Sequence, residues 1–487
     1  MVRQAIELSY AVRFRVVLRY FGQLCRVLSA LTLVPLGVSL LTGETSIALR
    51  YLLVLAVLGL AGYALPRLRA PRHLQANEAM VLVALIFLFT PLVMSYPMMG
   101  SDLSFVDALF EAISAGTTTG LSTLSSVEDQ PFAFLFARAW MQWYGGLGIV
   151  VFSLAVLTQP GLVAKRLAIT ENYEDDLVGG TRAHAHRILM VYGSLTGLGV
   201  VLLWLLCGNL RQAVLYTFPA VSTGGFAPHD RSLAGFGGMA EQWLVTLLGL
   251  GGALSLVLYH QALRKGWRTF LQDLQLRGLL AAGLAATLLM ALCLRTASAM
   301  PWSEVVRHAP LLALSAQTTT GFSTLDISHL GAASKVVLIL SMLIGGGIGS
   351  TAGGIKIFRL LVLLRLVHLT VLRTCLPRHA VIDPRLGGRR LREAEIQEAL
   401  FIILLFFMVV AVSWFPFVVM GYAPLDSLFE VVSATGTVGL SAGVTGPDLP
   451  TPLKGVLCVD MLLGRLEIVA WLIIIFPRTW IGRRREI

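Results

Sequence analysis

Charged residues are scarce in this chain. Of its 487 residues, 13% are charged and 56% are hydrophobic. One soluble core cannot bury that much apolar surface, so the composition excludes an ordinary soluble globular protein and indicates a polytopic membrane protein. Cysteine and histidine are also sparse: the five cysteines form no C-x-x-C pair, and the nine histidines show no metal-ligand spacing. These absences argue against a disulfide scaffold, a metal site and enzyme chemistry.

Apolar stretches long enough to cross a membrane recur along the chain. About 18 or more apolar residues are needed to cross roughly 30 Å of hydrocarbon. Ten stretches qualify: 25–42, 48–66, 79–96, 132–157, 187–207, 242–262, 276–295, 335–372, 399–420 and 454–476. We expect ten transmembrane helices, with the eighth interrupted. The first is expected to be retained rather than cleaved as a signal peptide.

The net charge of +11 is explained by where the cations lie. Arginines and lysines cluster before the first apolar stretch and after every second one. By the positive-inside rule, both termini are expected in the cytoplasm. No soluble stretch is long enough for a nucleic-acid-binding domain, so we expect membrane lipids and no nucleic acid around the chain.

One threonine-glycine phrase occurs four times, as TTTGLS (117–122), STGGFA (222–227), TTTGFS (318–323) and GTVGLS (436–441). DALFEAISA (107–115) upstream of the first copy matches DSLFEVVSA (426–434) upstream of the fourth. A serine lies six residues before the closing glycine in three copies, at Ser114, Ser315 and Ser433. Each unit is interpreted as a span, a short re-entrant helix, a loop and a second span. The predicted divisions are 1–75 for a two-helix extension, then 76–165, 166–268, 269–375 and 376–487 for four pore repeats.

The fold class predicted is therefore an all-α integral membrane protein whose four pseudo-repeats surround one axial pore. Non-helical backbone at membrane depth is tolerated where it lines a cavity. Glycine can aim carbonyl oxygens inward, and hydroxyl groups add further oxygens. Because no charged side chain lies between each serine position and its glycine, the ring suits a monovalent cation better than a divalent one. The candidate ion-binding residues are Thr118, Thr119, Gly120, Thr223, Gly224, Gly225, Thr319, Thr320, Gly321, Thr437, Val438 and Gly439.

Four acidic residues lie near the predicted re-entrant helices. Asp107 and Asp426 are placed to cap the helix starts, where carboxylates favour the positive end of the dipole. A direct role with ions stays open for both. Glu111 and Glu430 are either polar packing residues or supports for residues that face the ion.

The segment GGGIGSTAGGIK (345–356) falls inside the eighth apolar stretch. Each glycine costs a helix about 1 kcal/mol relative to alanine, so we expect the helix to break. A nucleotide-binding P-loop is disfavoured because Ile355 occupies the lysine position of that motif. A mobile loop under the filter and a close-packing kink both stay open. The candidate gate residues are Gly346, Gly347, Gly349, Gly353, Gly354, Lys356 and Arg465.

Arg465 is a charge inside the last apolar stretch, where it costs roughly 2.5–3.5 kcal/mol on insertion scales. Glu467 is two residues away and would not face it on a helix. On a continuous helix, Asp460 and Glu467 would share the face opposite Arg465. Arg465 is therefore expected either to pair with another helix or to point into the pore.

Several of these motifs together resemble the Trk-type potassium uptake family, which includes the Ktr and HKT transporters. They are TTTGFST, GGGIGSTAGGIK, the LGG of 386–388 and GRLE (464–467). The likeness covers essentially the whole chain, and the two leading spans resemble the TrkH branch. The resemblance implies a potassium filter closed by Gly120, Gly225, Gly321 and Gly439. A serine at the first of these positions goes with sodium transport in the family. The second loop, with one threonine, and the fourth, with Val438, depart from the threonine pattern.

The resemblance also implies how such a protein works. Potassium would be the transported substrate, with no cofactor in this chain. The glycine-rich loop would open the ion path, Lys356 would place a positive charge near the cavity, and Arg465 would act as an electrostatic barrier. The expected assembly is a homodimer in the bacterial inner membrane with cytosolic TrkA-type nucleotide-binding regulatory subunits. Loops 159–187 and 369–396 are their predicted docking sites. A sodium or poorly selective channel of the same fold and a non-conducting membrane scaffold are the alternatives.

Overall fold

The computed structural model describes residues 11–71, 74–157, 180–377 and 383–481, and these are mostly helical. The helices are α1 Phe14–Leu41, α2 Thr45–Ala64, α3 Ala76–Met98, α4 Phe105–Gly116, α5 Phe132–Leu157, α6 Gly180–Cys207, α7 Leu210–Val221, α8 Met239–Ala253, α9 Leu256–Lys265, α10 Trp267–Gln272, α11 Leu274–Thr296, α12 Trp302–Gln317, α13 Ala332–Leu343, α14 Ile357–Thr374, α15 Glu393–Val419, α16 Pro424–Thr435, α17 Thr451–Arg465 and α18 Val469–Ile475. Four two-residue strands are also present: β1 Ile344–Gly345, β2 Ile355–Lys356, β3 Arg385–Leu386 and β4 Arg389–Arg390.

The first two helices form a hairpin that packs on the rest of the chain. Gly22 lies against Leu65 and Pro66, so the two helices approach closely where α2 ends. Cys25 of α1 and Tyr51 of α2 are buried in a core cluster that also contains residues of α3, α4 and α5. The N-terminal pair is thus joined to the main bundle by apolar packing.

The order of long helix, short helix, loop and second helix occurs four times after this pair. The short helices are α4, α7, α12 and α16, and each ends where a threonine-glycine loop begins. Most of their residues are buried, including Phe110, Tyr216, Leu312 and Phe429. Short helices with little exposed surface fit the interior of a bundle better than its rim. The repeat boundaries stay a prediction, and the one at 165/166 lies outside the described residues.

Six helices in the described part of the chain are long and apolar enough to span a membrane: α1, α2, α3, α6, α11 and α15. Helices α8 and α9 together make a seventh candidate, bent by 87°. The total of ten spans stays a prediction. Besides the eighth stretch, the sixth and the tenth also break, which the sequence analysis did not predict.

Both additional breaks can be traced to particular residues. At the end of α8, the carbonyls of Gly252 and Ala253 accept hydrogen bonds from Thr351 and Gly347 in the glycine-rich segment instead of continuing the helix. After α17, Glu467 and Ile468 adopt left-handed backbone angles, with φ of 54° and 63°. The predicted break of the eighth stretch is confirmed: α13 ends at Leu343, and β1 pairs in parallel with β2 across the glycine-rich segment.

Candidate functional site

The four threonine-glycine loops meet in a closed ring. Each closing glycine has a positive φ, between 76° and 96°, which favours glycine over other residues. A methyl group added to any of them would collide with a carbonyl oxygen of the next loop, that of the residue just before its closing glycine. These contacts join Gly120 to Gly224, Gly225 to Thr320, Gly321 to Val438 and Gly439 to Thr119. The loops therefore follow one another around the ring in chain order, and the fourth meets the first.

Each loop also has a threonine in the left-handed region, two residues before its glycine. The φ values are 55° at Thr118, 53° at Thr223, 54° at Thr319 and 51° at Thr437. Such angles cost a non-glycine residue on the order of 1 kcal/mol. One backbone hydrogen bond recurs in all four loops at 2.7–3.0 Å. The N–H of the residue before the closing glycine donates to the carbonyl five residues earlier, which belongs to a serine in three loops and to Pro219 in the second. In two loops a serine adds support: Ser114 Oγ accepts the Gly120 N–H at 3.0 Å, and Ser433 Oγ accepts that of Gly439 at 3.1 Å.

In two loops, the threonines on either side of the left-handed threonine form a hydrogen bond between their hydroxyl groups. Thr117 and Thr119 hydroxyls are 2.8 Å apart, and those of Thr318 and Thr320 are 2.7 Å apart. The fourth loop has Gly436 and Val438 at these two positions, so it lacks both members of the pair. In the fourth loop both hydroxyls of the pair are therefore replaced together. This indicates that the Thr119 and Thr320 hydroxyls brace their loops.

In the second loop a side chain from another repeat takes the place of the missing threonine. A methyl group on Gly224 would lie 2.5–2.8 Å from the side-chain amide of Gln142 on α5. The Gln142 amide nitrogen donates to the Gly224 carbonyl, and its oxygen accepts the Phe226 N–H at 3.2 Å. Sequence reasoning missed Gln142, because nothing local relates it to a loop 82 residues away.

Buried carboxylates hold the backbone that follows two of the loops. Glu111 accepts the Ser122 hydroxyl at 2.7 Å and the Thr123 N–H at 2.8 Å, and pairs with buried Arg138 at 2.9 Å. Glu430 accepts the Ser441 hydroxyl at 2.6 Å and the Ala442 N–H at 2.8 Å. Of the two interpretations left open, the structure supports the second: both residues stabilise the loops from behind.

Two ion pairs link neighbouring repeats at the same structural position. Lys335 on α13 pairs with Asp426 on α16 at 2.7 Å, and Lys454 on α17 pairs with Asp107 on α4 at 2.6 Å. Asp107 and Asp426 therefore connect helix starts to the preceding repeat in the ring, in addition to lying in the first helical turn. The sequence signal for these pairs was a lysine at the start of the eighth and tenth apolar stretches, at Lys335 and Lys454.

The glycine-rich loop between β1 and β2 lies against the threonines of the ring. The Gly353 N–H donates to Thr319 Oγ1 at 2.8 Å, and the hydroxyls of Thr223 and Thr351 are 3.3 Å apart. A methyl group on Gly353 would also collide with Thr437 Oγ1. Three of the four left-handed threonines thus contact this loop. Gly346 packs against the Ala253 carbonyl, while Gly347 donates to that carbonyl at 2.9 Å.

The remaining predicted gate residues shape this loop. Gly349 and Gly354 have φ of 75° and 63°, so each allows a turn that other residues rarely adopt. Lys356 is buried, and its ammonium donates to the Ala352 carbonyl. The ammonium is thereby held against the inner side of the same loop.

Arg465 binds the loop through backbone oxygens. Its guanidinium donates to the Thr351 carbonyl at 2.8 Å and lies 3.4 Å from the Gly145 carbonyl. Among the described residues, no carboxylate is within ion-pair distance of Arg465. The prediction that Glu467 does not pair with Arg465 is confirmed, since Glu467 pairs with Arg359 on α14 at 2.5 Å. The two residues do not share a continuous helix, however, because α17 ends at Arg465.

Glycines let three of the second helices touch the ends of the short helices. A methyl group on Gly145, Gly252 or Gly464 would collide with the carbonyl of Gly116, Val221 or Thr435, respectively. Arg465 directly follows the last of these glycines. The carbonyl ends of the short helices, where the dipole is negative, therefore lie beside the ring.

Apolar helices long enough to span a membrane, together with four loops that meet in one ring, are the features of a membrane transport protein. The chain belongs to the TrkH family of cation transport proteins, whose model matches residues 50–478. It is 32% identical to the Trk system potassium uptake protein TrkI of Halomonas elongata over 96% of this chain and 97% of that one. It is 31% identical to an uncharacterized cation transporter of Methanocaldococcus jannaschii over 94% of each chain. The crystal structure of the potassium transporter TrkH from Vibrio parahaemolyticus matches with a TM-score of 0.86 and 27% identity, over 96% of this chain and 100% of that chain. The protein is therefore a multi-pass membrane protein with the fold of that transporter.

Proposed function

We propose that this chain conducts potassium ions into the cell through the ring of four loops. The observation that carries the proposal is the cyclic contact of each closing glycine with a carbonyl of the next loop. That arrangement suits a ring of backbone oxygens around one axis, which can replace the hydration shell of a monovalent cation. The relatives named as potassium uptake proteins support potassium as the ion. Gly120, where the family's sodium transporters carry serine, supports it as well.

The proposed ion-binding groups are the backbone oxygens of the four loops and the hydroxyls of the left-handed threonines. The hydroxyls of Thr118 and Thr437 have no hydrogen-bond partner among the described residues. That of Thr118 is therefore free to face an ion, whereas those of Thr223 and Thr319 bond to the glycine-rich loop and that of Thr437 lies against its Gly353. The inward driving force is the membrane potential, worth roughly 2.3 kcal/mol per 100 mV for each charge.

The proposed gate is the glycine-rich loop, closed in this structure. Its contacts with Thr223, Thr319 and Thr437 cover one end of the ring, so an ion leaving at that end would have to displace it. Arg465 holds the loop through the Thr351 carbonyl and sets a positive charge below the ring. A buried positive charge without a carboxylate partner opposes the passage of cations.

The proposed assembly follows the naming of the relatives as parts of Trk systems. We propose a homodimer in the bacterial inner membrane, with both termini cytoplasmic and with TrkA-type cytosolic regulators. Loop 369–396 contains the β3–β4 hairpin, which exposes Arg385 and Arg390 and offers a docking surface. Most of loop 159–187 lies outside the described residues.

The test is potassium and sodium flux into liposomes that contain the purified protein. The wild type should carry potassium in preference to sodium, and Gly321→Asp should abolish the flux, because its side chain would collide with the Val438 carbonyl. The control is Gly331→Asp, which makes the same change at the N-cap of α13, a position that favours aspartate. Equal sodium flux would favour the poorly selective alternative. No flux from wild type with the cytosolic regulator present would contradict the proposal.

A further inference from the structure

A crevice of about 490 Å³ opens in the outer surface of the helix bundle where the second helix of the third repeat breaks. Its walls come from α11, α13, α14 and α15, from the strand pair β1–β2 and from Gln317 at the end of α12. The side chains that line it are almost all apolar and include Ala282, Ala285, Leu340, Leu360 and Phe407. The glycines and carbonyls that join the loops of the ring are not among the lining residues, although Gln317 directly precedes the third loop.

The crevice lies at membrane depth and continues the lipid-facing surface. Ala282 and Ala285 are in the middle of α11, and Phe407 is in the middle of α15. Leu284 on α11 and Leu404 on α15, which flank it, are 62% and 66% exposed. Exposed leucines on spanning helices face hydrocarbon, so the mouth of the crevice opens to lipid tails.

An apolar space of this size does not suit water. An apolar cavity of about 150 Å³ stays dry and takes up an apolar molecule the size of benzene. An unfilled void forfeits the dispersion contacts of its walls. A helix from a second copy, roughly 10 Å across, would fill such a volume within about one turn, whereas a hydrocarbon chain can enter lengthwise.

We propose that the acyl chain of a bilayer lipid occupies this crevice and packs against the base of the glycine-rich loop. Two wall residues, Ile344 and Ile355, are paired partners in the β1–β2 ladder that closes that base. A chain in the crevice therefore supports the ladder on its lipid-facing side. Its effect on gating rests on the proposed function; the binding site itself does not.

The test is crosslinking in nanodiscs made with a phosphatidylcholine that carries a photoreactive diazirine in the middle of one acyl chain. Peptide mapping of the wild-type protein should find adducts enriched on the lining residues of α11 and α14 relative to the exposed leucines of α2. Ala285→Trp should reduce these adducts to background, since an indole would fill the space. The matched control Ala281→Trp changes an exposed alanine of the same helix outside the lining and should keep them.

The outcomes separate the site from its effect. Adducts spread evenly over all lipid-facing helices, adducts that persist in Ala285→Trp, or crosslinks to a second copy in place of lipid would each overturn the site. If Ala285→Trp loses the adducts and its potassium flux also changes relative to Ala281→Trp, the coupling to the gate is supported. If the flux is unchanged, the site stands and the coupling fails. A wild type with adducts and no flux would contradict the proposed function and leave the lipid site in place.

Discussion

The carbonyl oxygen of Thr119 occupies the space that a methyl group on Gly439 would need. This contact joins the last threonine-glycine loop to the first, across more than 300 residues of chain. Since the other three junctions follow the same rule, the ring depends on four glycines with positive φ rather than on one. We expect each glycine to be intolerant of any side chain.

Gly439→Ala should abolish potassium-selective flux in a protein that still folds. The added methyl group meets backbone, which cannot move aside as a flexible side chain could, and the φ of 92° adds strain on the order of 1 kcal/mol. Potassium and sodium flux in liposomes measures the effect. Gly455→Ala, with nothing within 4 Å of the added methyl group, is the control and should transport normally.

Gln142→Ala should impair both stability and selectivity. It leaves the Gly224 carbonyl and the Phe226 N–H without their partner, and an unsatisfied buried group costs about 1–3 kcal/mol. Adding Gly224→Thr, which restores the residue found in the first and third loops, should recover part of the loss. Thermal unfolding and ion-replacement flux are the measurements. Gln242→Ala removes a buried glutamine that bonds elsewhere and should lower stability without changing selectivity. Equal selectivity loss in both variants would contradict the role of Gln142.

Thr351→Val should raise potassium flux. The hydroxyl donates to the Gly252 carbonyl at 2.9 Å, and valine keeps the shape while removing the hydrogen bond. If the closed form is destabilised by about 0.5–1.5 kcal/mol relative to the open form, the open fraction rises by about two- to tenfold. Thr370→Val removes a hydroxyl that bonds within α14 and should leave flux unchanged. Flux at the wild-type level in a folded Thr351→Val would argue against a gate at this loop.

Arg465→Ala should raise flux more than Arg465→Lys. Alanine removes both the positive charge and the hydrogen bond to the Thr351 carbonyl, whereas lysine keeps the charge. Flux under a fixed membrane potential, with the amount of folded protein measured in parallel, tests this. If the lysine variant leaks as strongly as the alanine variant, Arg465 acts by holding the loop and not as an electrostatic barrier.

Lys454→Met and Asp107→Asn should be coupled in their effects on stability. Lys454 Nζ lies 2.6 Å from Asp107 Oδ1, but the Asp107 side chain is 23% exposed, so solvent screens the interaction. We therefore expect a coupling free energy on the order of 1 kcal/mol. Midpoints of thermal unfolding for the two single variants and the double variant measure it. The same cycle on Lys335 and Asp426 should give a similar value, and strict additivity in both would show that the pairs do not hold the repeats together.

Local features of the sequence were enough to predict the membrane class, the four loops and the break in the eighth apolar stretch. Each depends on residues close together in the chain: a run of apolar side chains, a threonine-glycine phrase, or six glycines among twelve residues. Backbone conformation and burial respond directly to such patterns. The break after Ala253 escaped prediction because helix continuity there depends on remote partners. Thr351 and Gly347 take the carbonyls that end α8, and nothing near residue 253 reports it.

The partners of the charged and polar side chains were decided only by the tertiary structure. Arg465 faces Thr351, Glu467 faces Arg359, and Gln142 fills the space beside Gly224. These contacts join residues 82 to 114 positions apart. Helical periodicity predicts which side chains share a face of one helix, but it says nothing of which helix stands opposite. The sequence by itself therefore determined where the ring and its loop would form, while packing of the repeats determined which atoms close the ring and hold the loop against it.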